Sequence, residues 1–227
     1  MAGGEKNIWI IANWKSNKTI AEALDWVSTV GPQIPKQENL KVVVCSTFTA
    51  LSEVKKAITV GNFPLMVGSQ DLSSFGVGAY TGEVAAELLK DLVGFSILGH
   101  SERRQNFKED DEMIAKKVVQ ALQNNITPLV CVQGPEILVP GGCKLVAYEP
   151  TFAIGTGNPD TPENANQVAS ILKEKYGQDL EVIYGGSVTS QNAKSFIVQP
   201  NLAGFLIGKA SLDAMEFVKI IKECEEF

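Results

Sequence analysis

Residues 144–184 decide the fold, and their sequence is KLVAYEPTFAIGTGNPDTPENANQVASILKEKYGQDLEVIY. The segment begins and ends with short apolar runs, residues 144–148 and 182–184, that predict β-strands. Between them Thr161 and Pro162 are a typical helix start, and apolar residues follow at helical spacing. The segment therefore predicts a strand–helix–strand unit, from which parallel sheets are built.

The same kind of apolar run occurs eight times along the chain. The runs are residues 8–12, 42–45, 65–67, 95–98, 128–132, 144–148, 182–184 and 203–207. They are continuous rather than alternating, which is typical of strands covered on both faces of a parallel sheet. Helical patterns lie between most of them, after Thr19, Thr49, Thr81, Asp110, Thr161 and Thr189 and near residues 217–224. We predict one α/β domain, residues 1–227, folded as a closed (β/α)8 barrel, with an open doubly wound sheet as the alternative.

The connection between the fifth and sixth runs is unusual. Residues 133–143 read QGPEILVPGGC, with two prolines and three glycines in eleven positions. A parallel crossover needs at least about 10–12 residues, and proline and glycine disfavour a helix interior. We therefore expect the fifth outer helix to be missing or reduced to one turn.

The composition is that of an ordinary globular protein, with 44% hydrophobic and 20% charged residues. The formal net charge of −6 argues against a general nucleic-acid or anionic-membrane binder, since both need a cationic face. No apolar run has the length of a signal-peptide core or a membrane span. The four cysteines form no C-x-x-C pair and no cluster with His100, so we expect reduced thiols in the cytoplasm and neither a disulfide framework nor a zinc site.

Polar side chains at the ends of three predicted strands are candidates for chemistry, because active sites of such barrels lie there. Lys15 follows the first strand, His100 the fourth and Glu149 the sixth. Each has a plain alternative: a surface lysine, a structural histidine, and a carboxylate before an ordinary surface loop. For Glu149, partial burial is expected to raise the pKa toward the range of a general base.

Glycine-rich loops follow the last three predicted strands. Residues 150–157 start with proline, end with Gly-Thr-Gly and have an apolar middle, a pattern that fits a lid over a ligand. The turns at Gly185–Gly186 and Gly208 can present backbone N–H groups to a phosphate. Dinucleotide and nucleotide phosphate-loop patterns do not match, since the latter would need glycine in place of Ala203.

Taken together, six motifs resemble the triosephosphate isomerase family. They are residues 13–15 (NWK), 78–83 (GAYTGE), 99–104 (GHSERR), 147–150 with 153–157 (AYEP and AIGTG), 184–187 (YGGS) and 204–208 (GFLIG). They occur in the family's order and cover nearly the whole chain outside residues 133–143. The resemblance implies a TIM barrel and a cytoplasmic isomerase of glycolysis and gluconeogenesis. It would interconvert dihydroxyacetone phosphate and D-glyceraldehyde 3-phosphate through an enediol(ate), with no cofactor and no metal.

The resemblance also implies the role of each catalytic side chain. Glu149 would be the base that moves a proton between C1 and C2. His100 would polarise the carbonyl as a neutral imidazole and move protons between the two oxygens. Lys15 would supply positive charge, Asn13 a hydrogen bond near the oxyanion, and Glu102 a tether for Lys15.

For the phosphate, the resemblance implies backbone N–H groups of Gly155, Ser187 and Gly208, with Asn13, Lys15 and Lys209 also contacting the substrate. The lid implied by the resemblance comprises Pro150, Thr151, Phe152, Ala153, Ile154, Gly155 and Thr156. Three departures from the family pattern stand out: Phe152 replaces a usual tryptophan, Lys209 a common glycine, and Gln133–Gly134 the usual Gly-Glu.

A symmetric homodimer is the last implication. In the family the loop from Gln70 to Glu83 docks into a pocket beside the neighbour's active site, and here it keeps its length and glycine-rich ending. We expect residues 72–75 to be exposed and apolar in a monomer, whereas a loop folded on its own barrel is the alternative. Two other functions stay open: a phosphate-binding barrel enzyme such as an aldolase, and a non-catalytic scaffold.

Overall fold

The computed structural model describes residues 6–153 and 157–227, and its centre is a closed barrel of eight parallel strands in chain order. The strands are β1 (Ile8–Asn13), β2 (Leu40–Ser46), β3 (Met66–Ser69), β4 (Phe95–Leu98), β5 (Thr127–Val132), β6 (Leu145–Tyr148), β7 (Glu181–Tyr184) and β8 (Leu202–Ile207). Each overlaps one predicted run, and β8 pairs with β1 to close the sheet. The predicted (β/α)8 barrel is confirmed, and the open doubly wound alternative is wrong.

Helices surround the barrel. They are α1 (Ile20–Val30), α2 (Leu51–Gly61), α3 (Ala86–Leu89), α4 (Ser101–Phe107), α5 (Asp111–Gln123), α6 (Pro162–Tyr176), α7 (Ala193–Ile197) and α8 (Ala214–Cys224). Thr19, Asp110 and Thr161 cap their helices by accepting a backbone N–H, as polar residues at such positions do. Within the described residues no helix is long and apolar enough to cross a bilayer.

Two helices differ from the sequence expectation. The helix expected after Thr81 begins only at Ala86 and has four residues, because the backbone before it is drawn into a loop. That loop is closed by a hydrogen bond from Ser73 N–H to Val84 O at 2.9 Å and contains Gly82 at a φ of +93°. Helix α4, which no sequence pattern indicated, begins directly after His100.

The connection from Val132 to Leu145 contains turns and no helix. It is held instead against α6, where the hydroxyl of Tyr176 accepts the N–H of Val139 at 3.2 Å and donates to Ile137 O at 3.3 Å. Side chain–backbone hydrogen bonds thus replace part of the packing that a helix would supply.

The core has two layers. Outward-facing strand residues pack against the helices in one large cluster, and inward-facing residues fill the barrel. The interior includes Trp9, Phe95, Ile183 and the two buried thiols Cys45 and Cys131. None of the four cysteines is in a disulfide. Because the interior is packed with side chains, it is a rigid support for the loops above it rather than a channel.

A buried ion cluster joins the loop after β3 to α4 and α5. The ammonium of Lys117 lies 2.7 Å from Asp71 and 2.5 Å from Glu109. The guanidinium of Arg103 contacts the same two carboxylates at 2.9 and 2.6 Å. Burial raises the pKa of Asp71 to about 6, with Lys117 opposing and Glu109 adding to the shift.

This pKa predicts the direction of one pH effect on stability. The folded chain holds the Asp71 proton more tightly than the unfolded chain does. The contribution of Asp71 to the free energy of unfolding is therefore complete below its ordinary pKa of 3.8 and is lost as pH rises through about 6. We expect the free energy of unfolding of the wild type, relative to Asp71→Asn, to fall by up to about 3 kcal/mol between pH 4 and pH 7.

The measurement is urea unfolding followed by tryptophan fluorescence at one fixed chain concentration. Asp179→Asn serves as the matched control, since Asp179 is an exposed aspartate whose ion pair with Lys144 lies on the surface. The difference in the free energy of unfolding between Asp179→Asn and the wild type should be small at each pH, because an exposed ion pair contributes at most about 1 kcal/mol. A difference for Asp71→Asn that stays constant across this pH range would contradict the assigned pKa.

Candidate active site

Glu149 and His100 face each other at the carboxyl end of the barrel. Glu149 follows β6, is 1% exposed, and its Oε1 lies 3.0 Å from Nε2 of His100. Its Oε2 accepts the backbone N–H of Ser101 at 3.0 Å. Gly99, at a φ of +68°, turns the chain between β4 and His100 in a conformation that favours glycine.

The hydrogen bonds of His100 define its tautomer. Nδ1 accepts the backbone N–H of Glu102 at 3.2 Å, so the ring proton of the neutral form belongs on Nε2, which donates to Glu149. Burial lowers the pKa of His100, but the charge and hydrogen bond of Glu149, together with the charge of Glu102, act against it, and the net direction is upward. A group that displaced Glu149 would remove this opposing influence and favour the neutral ring.

The pKa of Glu149 is shifted in the opposite direction from the sequence expectation. Burial acts to raise it, as expected, but the charge and hydrogen bond of His100, the N–H of Ser101 and the charge of Lys15 together lower it. The expectation of a raised pKa is therefore wrong for this arrangement. Its cause lies in α4, which brings His100 and Ser101 against the carboxylate and which the sequence did not indicate.

Lys15 approaches the same site from β1. Its backbone has a φ of +53°, and its N–H donates to Oδ1 of Asn13 at 3.1 Å. Its ammonium is ion-paired with Glu102 of α4. Gly208 lies beside it, since a Cβ there would be in ordinary van der Waals contact with Cε of Lys15 at 3.4 Å. Asn13, Lys15 and His100 therefore line the same cavity, and Glu102 is joined to it through Lys15.

Packing explains why glycine is needed at each of the two positions after β7. A Cβ on Gly185 would lie 2.8 Å from Cγ of Glu149, and one on Gly186 would lie 2.0 Å from the hydroxyl of Tyr184. The pair therefore makes space for the Glu149 side chain and for a tyrosine hydroxyl, in addition to the phosphate contact considered from sequence.

The side chain of Ser187 forms hydrogen bonds with Ala153 and Gly157, the described residues on either side of residues 154–156 in the β6–α6 connection. Its hydroxyl donates to Ala153 O at 2.7 Å and accepts the N–H of Gly157 at 3.2 Å. Thr151–Ala153 form a single 3-10 turn in which Phe152 is largely exposed. Of the expected lid, Ile154, Gly155 and Thr156 lie outside the described residues, and so does the phosphate contact expected from Gly155.

One cavity of about 760 Å³ unites these residues. Of the candidates from sequence, it is lined by Asn13, Lys15, His100, Glu149, Ser187, Gly208 and Lys209. Glu102 reaches it only through its ion pair with Lys15. Over residues 6–153 and 157–227, no three His, Cys, Asp or Glu side chains are grouped so that they could hold a metal ion. The cavity can therefore offer one base, one imidazole donor and two cations to a small anionic ligand.

Sequence reasoning missed three neighbours of the site. The first is Ser101, whose N–H donates to Glu149, and the second is Cys131, whose thiol pKa is raised by burial and by the Glu149 carboxylate. The third is Asp160, which accepts a hydrogen bond from the hydroxyl of Tyr148, the residue before Glu149. Ser101 carried a weak signal, because it follows His100 at what proved to be a helix start. Cys131 carried none, since its inward direction depends on the barrel register.

Comparison with known proteins gives a consistent result. A family model for triosephosphate isomerase matches residues 8–137 and 143–224. The triosephosphate isomerase of Alkaliphilus oremlandii is 41% identical over 244 positions, covering 93% of this chain and 97% of that protein. That of Mesomycoplasma hyopneumoniae strain 7448 is 37% identical over 238 positions, with the same two coverages.

The break between the two matched ranges falls inside the connection that has no helix. All catalytic candidates lie within the matched ranges. Asn13, Lys15, His100 and Glu149 line one cavity, and Glu102 is paired with Lys15 beside it. The match therefore extends over the barrel and the residues at its mouth, and this chain belongs to the triosephosphate isomerase family.

Proposed function

We propose that this chain is a triosephosphate isomerase, which interconverts dihydroxyacetone phosphate and D-glyceraldehyde 3-phosphate by proton transfer through an enediolate. The observation that carries the proposal is the 3.0 Å contact between the Glu149 carboxylate and Nε2 of His100 in a cavity that Lys15 also lines. Enolisation needs a base beside a C–H bond and donors where the carbonyl oxygen gains charge. These three side chains supply both.

The first proton transfer uses the space between the two facing groups. A triose entering there replaces the contact between Glu149 and His100, so that its C1–H faces the carboxylate and its carbonyl oxygen faces Nε2–H. Glu149 takes the C1 proton, and the electron pair of the broken C–H bond forms the C=C bond of the enediolate. Nε2–H of His100, the ammonium of Lys15 and the amide of Asn13 stabilise the oxygen that gains charge.

The second half of the reaction returns the proton. Glu149 delivers it to C2, while His100 gives its Nε2 proton to one oxygen and receives the hydroxyl proton of the other. No net proton is gained or lost. The Nδ1 contact with Glu102 N–H keeps the ring oriented throughout, because it leaves Nε2 as the nitrogen that exchanges protons.

The phosphate site is formed by the loops after β7 and β8. We propose that the N–H groups of Ser187 and Gly208, and that of Gly155, bind the phosphate, and that Lys209 adds a side-chain cation. Lys209 is exposed at the cavity mouth, and no carboxylate in the described part of the chain lies within ion-pair distance of its ammonium. A lid formed by residues 150–156 would exclude water from the enediolate.

The experiment is an isomerase assay on the purified protein in H₂O and in D₂O, with EDTA present. We expect turnover in both solvents, and the product formed in D₂O should carry deuterium at the carbon that receives the proton. Absence of turnover would overturn the proposal, and turnover without solvent deuterium would indicate a hydride shift instead. Mass increase on borohydride reduction with substrate would reveal a Schiff base and favour the aldolase alternative.

We further propose a cytoplasmic homodimer formed through the loop from Gln70 to Glu83. Leu72 is buried against its own barrel, which corrects the expectation that residues 72–75 are all exposed. The exposed apolar part lies further on: Phe75 and Tyr80 stack at 4.3 Å and are each 44% exposed, and Val77 is 62% exposed. A group of exposed apolar side chains of this kind is typical of an interaction surface.

Dimer formation predicts a mass in solution of twice the 24.5 kDa chain mass at micromolar concentration, measured by size-exclusion chromatography with light scattering. Val77→Asp is expected to shift the species toward 24.5 kDa, because a buried unpaired carboxylate disfavours the interface. Val60→Asp is the matched control, since Val60 is an 81% exposed valine in the last turn of α2, outside the loop. A monomeric wild type would contradict the proposal.

A further inference from the structure

A buried carboxylate lies at the carboxyl end of the β6–α6 connection. Asp160 is only 8% exposed, although it is one residue before Thr161, the N-cap of α6. Aspartate is rarely buried unless its oxygens are fully hydrogen-bonded. The position therefore has a reason beyond solubility or helix capping, since Thr161 already caps the helix.

Asp160 is the centre of four hydrogen bonds. Its Oδ2 accepts the hydroxyl of Tyr148 at 3.1 Å and the side-chain amide of Asn164 at 2.7 Å. Its Oδ1 accepts the N–H of Thr161 at 2.8 Å, and its own N–H donates to the hydroxyl of Tyr184 at 2.7 Å. The three groups bound to the carboxylate are all donors, so the site requires an acceptor on both oxygens.

The two tyrosines connect Asp160 to the reacting residues. Tyr148 and Tyr184 are the last residues of β6 and β7 and are paired in register. Tyr148 is followed directly by Glu149. Tyr184 stacks on Phe196 at 4.3 Å, and its hydroxyl occupies the space that the absence of a Cβ on Gly186 leaves open. Burial raises the pKa of both tyrosines, that of Tyr184 to about 12, so both hydroxyls keep their protons at neutral pH.

Asp160 also lies three residues from the cavity wall. Gly157 lines the cavity, and its N–H donates to the hydroxyl of Ser187. The contacts of Asp160 fasten the same end of the connection at a second point. Without them, the position of Gly157 would depend more heavily on the Ser187 contact.

We propose that Asp160 is a positioning residue, which fastens the carboxyl end of the β6–α6 connection to the last residues of β6 and β7 and so holds Gly157 at the cavity. This inference rests on the proposed isomerase function. When the connection is held less firmly, the enediolate is exposed to water and can change conformation. Phosphate can then be eliminated: the negative oxygen on C1 forms a C=O bond, the C1=C2 pair moves to C2=C3, and the C3–O pair leaves on inorganic phosphate. Loss of Asp160 should therefore change the fate of the intermediate as well as the rate.

The test uses Asp160→Asn, Asp160→Ala and Tyr148→Phe, with Glu163→Gln as the matched control. Asparagine is nearly the same size as aspartate, but its side-chain NH₂ would face one of the three groups that donate to the Asp160 carboxylate. Tyr148→Phe keeps the carboxylate and removes only one of these donors, the Tyr148 hydroxyl. Glu163 is an exposed acid in the first turn of α6, so its variant removes the same charge without touching the hydrogen-bond network. Steady-state kcat and KM, inorganic phosphate released per isomerisation, and the urea midpoint are measured for each.

We expect both Asp160 variants to lower kcat by about tenfold and to raise the phosphate released per isomerisation by about tenfold, with smaller changes in the same direction for Tyr148→Phe. Glu163→Gln should match the wild type. A folded Asp160 variant with unchanged phosphate release would overturn the inference, even if kcat fell, because a merely structural role lowers rate without changing the fate of the intermediate. Lack of isomerase activity in the wild type would instead overturn the proposed function.

Discussion

Replacing Glu149 by glutamine is expected to lower kcat by roughly 10²–10⁴-fold, because the variant has no group that can take a proton from carbon. The side chain keeps its volume, so the change removes basicity rather than packing. Its amide nitrogen must face either Nε2–H of His100 or the N–H of Ser101, both of which donate to Glu149 in the wild type. Competitive binding of a phosphate-bearing substrate analogue therefore has to be measured beside the rate.

The same variant has a second expected effect, on the imidazole. His100 is the only histidine in the chain, so its NMR titration is unambiguous. Burial lowers the pKa of His100, and the Glu149 carboxylate raises it, with a net upward direction. A neutral glutamine leaves burial dominant, and the pKa of His100 should fall in the variant. An equal or higher value there would contradict the assigned pairing.

The control for the rate is Glu163→Gln, which removes an exposed carboxylate from α6 and should leave kcat unchanged. Glu149→Asp adds a positional test, since it keeps the base but withdraws it by one methylene, and a misplacement of about 1 Å can cost 10²-fold. Near-wild-type turnover of Glu149→Gln, with the analogue still bound, would refute the assigned base.

His100→Gln has the second largest expected effect, a fall in kcat of about 10²–10³-fold. Glutamine fills similar space and can still donate one hydrogen bond toward the carbonyl oxygen. It cannot exchange a proton between two oxygens, because a side-chain amide has no accessible second protonation state near neutral pH. The expected signature is a loss in kcat with a smaller change in KM, which marks an interaction made mainly in the transition state.

The matched control for His100→Gln is Gln70→Ala. Gln70 is a polar residue near the site, and its side-chain amide donates to the backbone carbonyls of Lys15 and Cys45. That variant should lose at most a small part of the rate, through a less ordered Lys15 backbone. The role of His100 would be refuted if His100→Gln retained more than about a tenth of the wild-type kcat, since proton transfer by a positioned side chain is typically worth at least about 10²-fold.

The barrel itself could be predicted from local patterns. Eight continuous apolar runs of suitable length, separated by helical stripes with caps at Thr19, Asp110 and Thr161, specify alternating strands and helices. These signals are local, because side-chain period and capping depend on residues three or four apart. The apolar spacing that includes Val84 and Ala85 predicts a start of α3 that is too early. These two residues belong to a loop, whose path is set by the hydrogen bond from Ser73 N–H to Val84 O.

The sequence was sufficient to name the candidate residues, but it was not sufficient to predict the direction of their pKa shifts. Position at strand ends singled out Lys15, His100 and Glu149, and the structure brings them to one cavity. The direction of the Glu149 pKa depended on His100 and Ser101, which lie nearly fifty residues away in sequence. Interactions at 3 Å between distant segments leave no periodic trace in a single chain.

The sequence alone determined the alternation of strands and helices, the lack of room for a helix in residues 133–143, and which polar residues end the strands, because these follow from spacing and residue type. Only the tertiary structure decided that Glu102 pairs with Lys15, that Gly186 makes way for Tyr184, and that Asp160 joins two strands. Those facts arise when barrel closure brings separate strand ends together. Hydrogen bonds and burial there depend on distances of a few ångströms that no one segment sets by itself.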